Sequence, residues 1–348
     1  MGADTPAGRP RFAYLLLTHK DSRLVEEVAD RILELSPRAH VVVHHDARAA
    51  DSPWGGRPAE PFHMVERGRV QWGDWSMVDA TLRLLRYAAE HIDAEWFVLL
   101  SGEHRPVVDL ERWEGSIADS GADAFARADL LPSRLRFGKG RDETSTFLAR
   151  SRHWWRAVPR PRTDLAHRAL GALMKVGQVA QPLFAVEFVH RRDAWVVGTR
   201  RRLGGMRGQP FYRGSQWIVL NRRAAEVALS VDPALTAWFV RSWIPDETYF
   251  HTVLRQDHEL VVSNSLMTYV LETPERPTPG WMRLTMEDLP AVWASGAPFA
   301  RKVDPVERPE VMAAIDQAVD RRRSGQLQET ADPAELELTD TSELTDSA

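Results

Sequence analysis

The chain of 348 residues is 43% hydrophobic and 27% charged, a balance that lets a soluble globular protein bury a sizeable core without cross-links. It contains no cysteine, which excludes disulfides, thiolate metal sites and a thiol nucleophile. The formal charge of −4 conceals an acidic end: residues 324–348 hold seven acids and no base, so the remainder sits near +3. That balance is too weakly basic, without a recognised module, to point to a nucleic-acid partner.

Residues 1–11 are polar, carry two prolines and are expected to be flexible. No apolar run precedes Phe12 and none approaches the roughly 18 residues of a membrane span, so neither a signal peptide nor a transmembrane segment is expected, and the expected location is cytoplasmic. Phe12 to Thr18, F-A-Y-L-L-L-T, is a short apolar run with polar borders, the pattern of a strand buried on both faces. Leu24, Val25, Val28, Ile32 and Leu35 then recur at helical spacing, and Val41 to Val43 begins a second strand ending in His44-His45-Asp46. Phe62 to Val65 predicts a third strand, Val78 to Ala89 a helix, and Trp96 to Leu100 another buried strand. The alternation predicts an α/β fold, a Rossmann-like open sheet with helices on both faces and functional residues at the carboxyl ends of its strands.

Residues 131–192 change character, with clustered Arg, Trp and Pro and one weak helix around Leu165 to Val179, and are expected to form an irregular insertion over the sheet. Strands at Ala194–Val197, Trp217–Leu220 and Leu260–Val262 follow, with helices near Arg223–Leu229, Asp246–Arg255 and Glu287–Trp293. Residues 12–323 thus read as one domain, divisible at 130 and 192, and 324–348 as a disordered acidic tail.

Several chemistries are unsupported by motif: G-x-G-x-x-G does not follow the first strand, and no Walker or H-E-x-x-H sequence occurs. His44, His45 and Asp46 end a strand, and Glu247 and His251 share a helix face at i, i+4. They are candidate ligands of a metal-dependent hydrolase, or side chains that hydrogen-bond their own loops. A D-x-D that would hold a cation against a nucleotide diphosphate is absent, so such a donor would need fixed cations. Arg283 and the pair Arg301-Lys302 are candidates, with a solvated basic surface as the other reading. In S-W-I-P-D-E-T-Y-F-H-T, Asp246 and Glu247 suit the first turn of a helix, while a single oriented carboxylate there also suits a general base. Thirteen tryptophans, several in pairs, suit either a core or stacking on sugar faces.

The segments A-Y-L-L-L-T-H-K, V-V-H-H-D, W-G-D-W-S-M-V, W-F-V-L-L-S-G-E-H-R-P, G-S-Q-W-I-V-L-N-R, P-D-E-T-Y-F-H-T and E-D-L with F-A-R-K-V-D occur in that order over residues 12–304. Together they resemble the Core-2/I-branching enzyme family, glycosyltransferase family 14. The resemblance implies a GT-A-like fold and inverting, metal-independent transfer of N-acetylglucosamine, or of xylose in a sister branch, from a UDP-sugar to a hydroxyl of a saccharide or glycoconjugate. No cofactor beyond the donor is expected. It implies Glu247 as general base and Arg283, Arg301 and Lys302 as diphosphate-binding cations. The uridine nucleotide falls on Leu16, Asp46, Trp72 and Gly73 in the half spanning 12–130. The acceptor falls on Arg152, Trp154 and Trp155 of the insertion and on Ser215, Gln216 and Trp217 in the half spanning 193–323. His104 departs from the family's usual Asp. A catalytically silent saccharide-binding protein is the remaining alternative.

Overall fold

The structure, a computed structural model, describes residues 10–132, 143–159, 184–189, 194–202, 208–271 and 282–326, with residues 168, 169, 172 and 206 besides. Most of the acidic tail, most of the N-terminal segment and most of the helix expected around Leu165 to Val179 lie outside the described residues.

Strands β1 (Phe12–Thr18), β2 (His40–His45), β3 (Phe62–Met64) and β4 (Trp96–Ser101) run parallel, and the order of the seven-stranded sheet places β4 beside β1 and then β2 and β3. Three shorter strands extend the other edge: Val219–Asn221 lies antiparallel to β4, followed by Ala124–Phe125 and Val262–Ser263. All seven side chains of β1 are buried, because the sheet is covered on both faces. Ala13, Leu15 and Leu17 enter a core shared with the helices Trp75–His91, Arg222–Leu229 and Tyr249–Leu254. Phe12, Tyr14 and Leu16 enter the opposite core, with the helices Ser22–Leu35 and Pro309–Arg323. The period-two alternation of a strand thus supplies both layers from one apolar run.

Three of the helices against the sheet begin where a polar side chain closes the first turn: Asp21 accepts from Arg23 N, Asp74 from Ser76 N and Asn221 from Ala224 N. The helix Pro309–Arg323 is held by buried arginines. Arg31 Nη2 bonds Asp320 at 2.7 Å and Arg105 Nε bonds Asp316 at 2.8 Å.

Two expectations are corrected. The segment 131–192, expected to be an irregular insertion, contains the helix Glu143–Arg152 and the strands His153–Pro159 and Phe184–Val189, which pair antiparallel on either side of Ala194–Arg200, the strand expected just beyond it. The helix expected over Asp246–Arg255 is broken: a 3-10 turn, Pro245–Glu247, ends at Thr248 and an α-helix, Tyr249–Leu254, follows.

Candidate active site

The chain runs from β1 outward through β2 to β3 and then crosses to β4 on the other side of β1. The carboxyl ends of β1 and β4 therefore flank the point where the winding reverses, the place where open α/β sheets form a ligand crevice. Thr18, His19 and Lys20 leave β1 there, and Ser101 to His104 leave β4. Glu103, at 6% exposure, accepts from Lys20 Nζ through Oε1 at 2.6 Å and from Lys302 Nζ through Oε2 at 2.9 Å, with Arg301 Nη2 at 3.9 Å. Burial favours the neutral acid, but the charge of Lys302 and the bonds from both lysines prevail and hold the carboxyl at about 2. Lys302 is delivered by a small sheet in which Phe299–Arg301 lies between Thr268–Val270 and Arg105–Pro106. Arg283 joins this region because Leu284 N donates to Lys302 O at 2.9 Å. Its own guanidinium pairs with Asp304 at 2.7 Å and Glu307 at 2.9 Å.

His104 is buried, and its Nδ1 accepts from Ser101 N at 3.0 Å, closing the turn after β4. Burial and then the nearby Arg301 charge push its pKa well below the usual value, keeping the imidazole neutral and able to accept.

Leu16 is fully buried in the middle of β1, between Val43 of β2 and Leu100 of β4, and presents no exposed surface of its own. Asp46 follows β2 and is itself buried. Its carboxylate accepts from Arg48 N at 2.8 Å, Arg48 Nη2 at 2.7 Å and Val70 N at 3.2 Å. Burial opposes ionisation, yet the Arg48 and Val70 bonds win and bring the carboxyl to about 2. Asp46 thereby fastens the loop that leads to Trp72 and Gly73.

That loop docks on the turn carrying Glu247. Ile244, in the left-handed region at φ 49°, donates its N–H to Gly73 O at 3.0 Å. Gly73 has φ 72°, and a Cβ there would lie 2.7 Å from the Trp243 indole, so both conformation and contact require glycine. Trp72 meets Trp243 edge-on at 5.6 Å, and Trp155 lies 6.5 Å from Trp243 on another side. The insertion closes the arrangement: the Arg150 carbonyl accepts from Trp243 N at 3.1 Å and Trp155 Nε1 at 2.8 Å. The Arg150 side chain reaches Glu247 Oε2 at 3.1 Å, and Glu247 remains about one-third exposed, 33%. Asp246 is 5% exposed, and its pKa is raised by burial and by the Glu247 charge, with Arg150 offsetting only part. The two adjacent acids therefore face different surroundings: Asp246 turns inward and Glu247 outward.

Ser215, Gln216 and Trp217 form a loop ahead of the strand Val219–Asn221, which starts later than the expected Trp217. Gly214 has no room for a Cβ, which would meet Arg127 O at 2.1 Å. His251 Nε2 donates to Ser215 O at 2.8 Å, burial lowers its pKa to about 4, and it serves as a core clasp. Trp217, 7% exposed, meets the His104 ring edge-on at 4.4 Å and carries the Arg301 guanidinium over its ring, 4.6 Å from the centroid. One short loop thus ties the Glu247 side of the molecule to the cation cluster. Of the insertion residues, Trp154 is exposed at 48%, Arg152 is half-buried and Trp155 is packed inside.

The metal-hydrolase alternative is corrected. Among the described residues no group of three or more His, Cys, Asp or Glu side chains is placed to hold a metal ion. His44 Nε2 accepts from Gly68 N, His45 Nδ1 meets Thr18 Oγ1 and His251 clasps Ser215, so each histidine binds its own scaffold. Lys20 and Glu103 were singled out by no sequence argument; the signal available was a lysine two residues beyond a strand and a buried turn acid.

The site thus belongs to an open α/β sheet with acids and cations gathered beyond the ends of its strands. The model of the family described as Core-2/I-Branching enzyme matches residues 12–141 and 198–292, and the chain belongs to that family; it is therefore a transferase enzyme. No curated protein matches it. Among solved structures, a putative glucose-1-phosphate thymidylyltransferase from Bacillus anthracis in complex with a sucrose is 7% identical, over 72% of this chain and 85% of that one, with TM-score 0.31. HddC from Yersinia pseudotuberculosis is 9% identical, over 62% and 79%, with TM-score 0.27. Likenesses this slight carry no argument. Among the described residues no helix is long and apolar enough to cross a membrane.

Proposed function

We propose that this protein is an inverting, metal-independent glycosyltransferase that moves N-acetylglucosamine from a UDP-sugar to a hydroxyl of a saccharide or glycoconjugate acceptor. Glu247 takes the proton from the acceptor hydroxyl as its oxygen attacks the anomeric carbon, opposite the departing diphosphate. Arg283, Arg301 and Lys302 meet the charge that develops on the leaving group. The uridine is held near Leu16, Asp46, Trp72 and Gly73, and the acceptor by Arg152, exposed Trp154 and the Ser215–Gln216 loop. The cytoplasm, where nucleotide sugars are made, is the setting that fits this donor.

The observation that carries the reading is the Glu247 turn. A partly exposed carboxylate sits on a short rigid turn, oriented by Arg150, while its neighbour Asp246 is buried. A general base needs such a fixed direction and access to substrate. Turnover of UDP-N-acetylglucosamine by Glu247→Gln is expected to fall roughly 100- to 10,000-fold with donor binding nearly intact. Near-normal turnover would remove Glu247 from the mechanism, and activity abolished by a chelator and restored by a divalent cation would overturn metal independence.

A further inference from the structure

Lys20 follows the carboxyl end of β1, where the winding of the sheet reverses, and is the first lysine of a chain that has only four, the others being Lys139, Lys175 and Lys302. Two of these four meet on one carboxylate: Lys20 on Glu103 Oε1 at 2.6 Å and Lys302 on Oε2 at 2.9 Å. The contact joins residues 83 positions apart, across the point where the sheet reverses its winding. One carboxylate facing two ammonium groups leaves a surplus positive charge, and Arg301 stands 3.9 Å from the same acid. The side chains differ in access. Glu103 is 8% exposed and Lys302 10%, whereas Lys20 is 35% exposed, so the bridge opens to solvent on the Lys20 side. The two ammonium nitrogens lie one carboxylate apart, a spacing that adjacent phosphates of a diphosphate also span. Lysine suits this position better than arginine, because a compact ammonium with three rotatable donors can serve a carboxylate and a phosphate oxygen together.

We propose that Lys20 is a further cation of the donor-diphosphate site, and that Glu103 sets it in register with Lys302 while competing with the diphosphate for the same two ammonium groups. The inference rests on the nucleotide-sugar reading above and adds two residues to it. Glu103 then acts in two senses: it fixes the lysines at the seam, and its charge limits how tightly a phosphorylated donor or product is held.

Calorimetric titration of the full chain with UDP and with uridine tests it. Lys20→Ala is expected to weaken UDP binding about 10-fold, the loss of one charge-assisted bond, and to leave uridine binding unchanged. Lys20→Arg is expected to recover part of the loss, and Glu103→Gln to tighten UDP binding several-fold, since it removes a negative charge beside the phosphates. A merely structural bridge predicts otherwise: cutting either end would lower the melting temperature and shift UDP affinity in one common direction. That result overturns the inference, as does unchanged UDP affinity in Lys20→Ala. Should Lys20→Ala fold poorly, Lys20→Met keeps the aliphatic stem and carries the same expectations. Wild-type protein that binds no UDP would overturn the donor reading itself. Wild-type binding with Lys302→Ala weakened and Lys20→Ala unaffected would overturn this inference alone.

Discussion

Glu103 and Glu247 are both glutamates held by basic side chains, and they differ in the properties that decide what a carboxylate can do. Glu103 is buried, bonded through both oxygens to two lysines and held at about 2. Glu247 is one-third exposed and bonded to one arginine at 3.1 Å. A proton acceptor must reach the group it deprotonates, so burial between two ammonium groups suits Glu103 to placing charge and exposure suits Glu247 to chemistry. Residue type does not separate them. The surroundings do.

The widest separation is expected between the two Gln variants. Glu247→Gln should cost roughly 100- to 10,000-fold in kcat, whereas Glu103→Gln should alter donor affinity and leave kcat within about tenfold. Equal losses of kcat would erase the distinction. Arg150→Met probes the arginine bonded to the exposed acid. It is expected to lower kcat about tenfold with donor KM within about twofold, because orientation of the base and not donor contact is lost; a change confined to KM would place Arg150 with the donor instead. Gly73→Ala tests the scaffold behind Glu247. A Cβ 2.7 Å from the Trp243 ring at φ 72° should destabilise the protein by about 1–3 kcal/mol in denaturant titration, and an unchanged midpoint would show the loop yielding freely. The smallest effect is a pH dependence. The folded pKa of Asp246 lies above its unfolded value because of burial and the Glu247 charge. Its favourable contribution is therefore complete below the unfolded pKa and is lost as pH rises through the folded one. Asp246→Asn should melt like the wild type near pH 4 and a few degrees higher at pH 8, and identical melting curves at both values would exclude a buried charge there.

Much of the sheet was legible because its pattern is strong. The run at Phe12–Thr18 feeds two cores at once, and Val25, Val28, Ile32 and Leu35 line one helix face. The strand at His153–Pro159 was not, although its burial alternates: His153 and Trp155 are inside, Trp154 and Arg156 outside. A tryptophan on each face, Trp155 inside and Trp154 outside, hides that contrast from a hydrophobicity reading. The helix Pro309–Arg323 carried usable signals, Pro at its first turn and Val311, Ile315 and Val319 at intervals of four, all buried. The break at Thr248 was hidden because Pro, Asp and Glu open a 3-10 turn as readily as an α-helix.

At the site, the order of the short segments pointed to Glu247, Arg283, Arg301 and Lys302, but it assigned no partner to any of them. The sequence by itself determined the alternation of strands and helices, the doubly buried β1, the absence of thiol chemistry and the ordered segments of a branching-enzyme family. Periodicity and composition are local properties, written in neighbouring residues. Only the tertiary structure decided that Lys20 and Lys302 share Glu103, that Arg150 holds Glu247, and that Trp243 rests on Gly73. Charge pairing and close packing act through space between distant parts of the chain, and they leave no periodic trace along it.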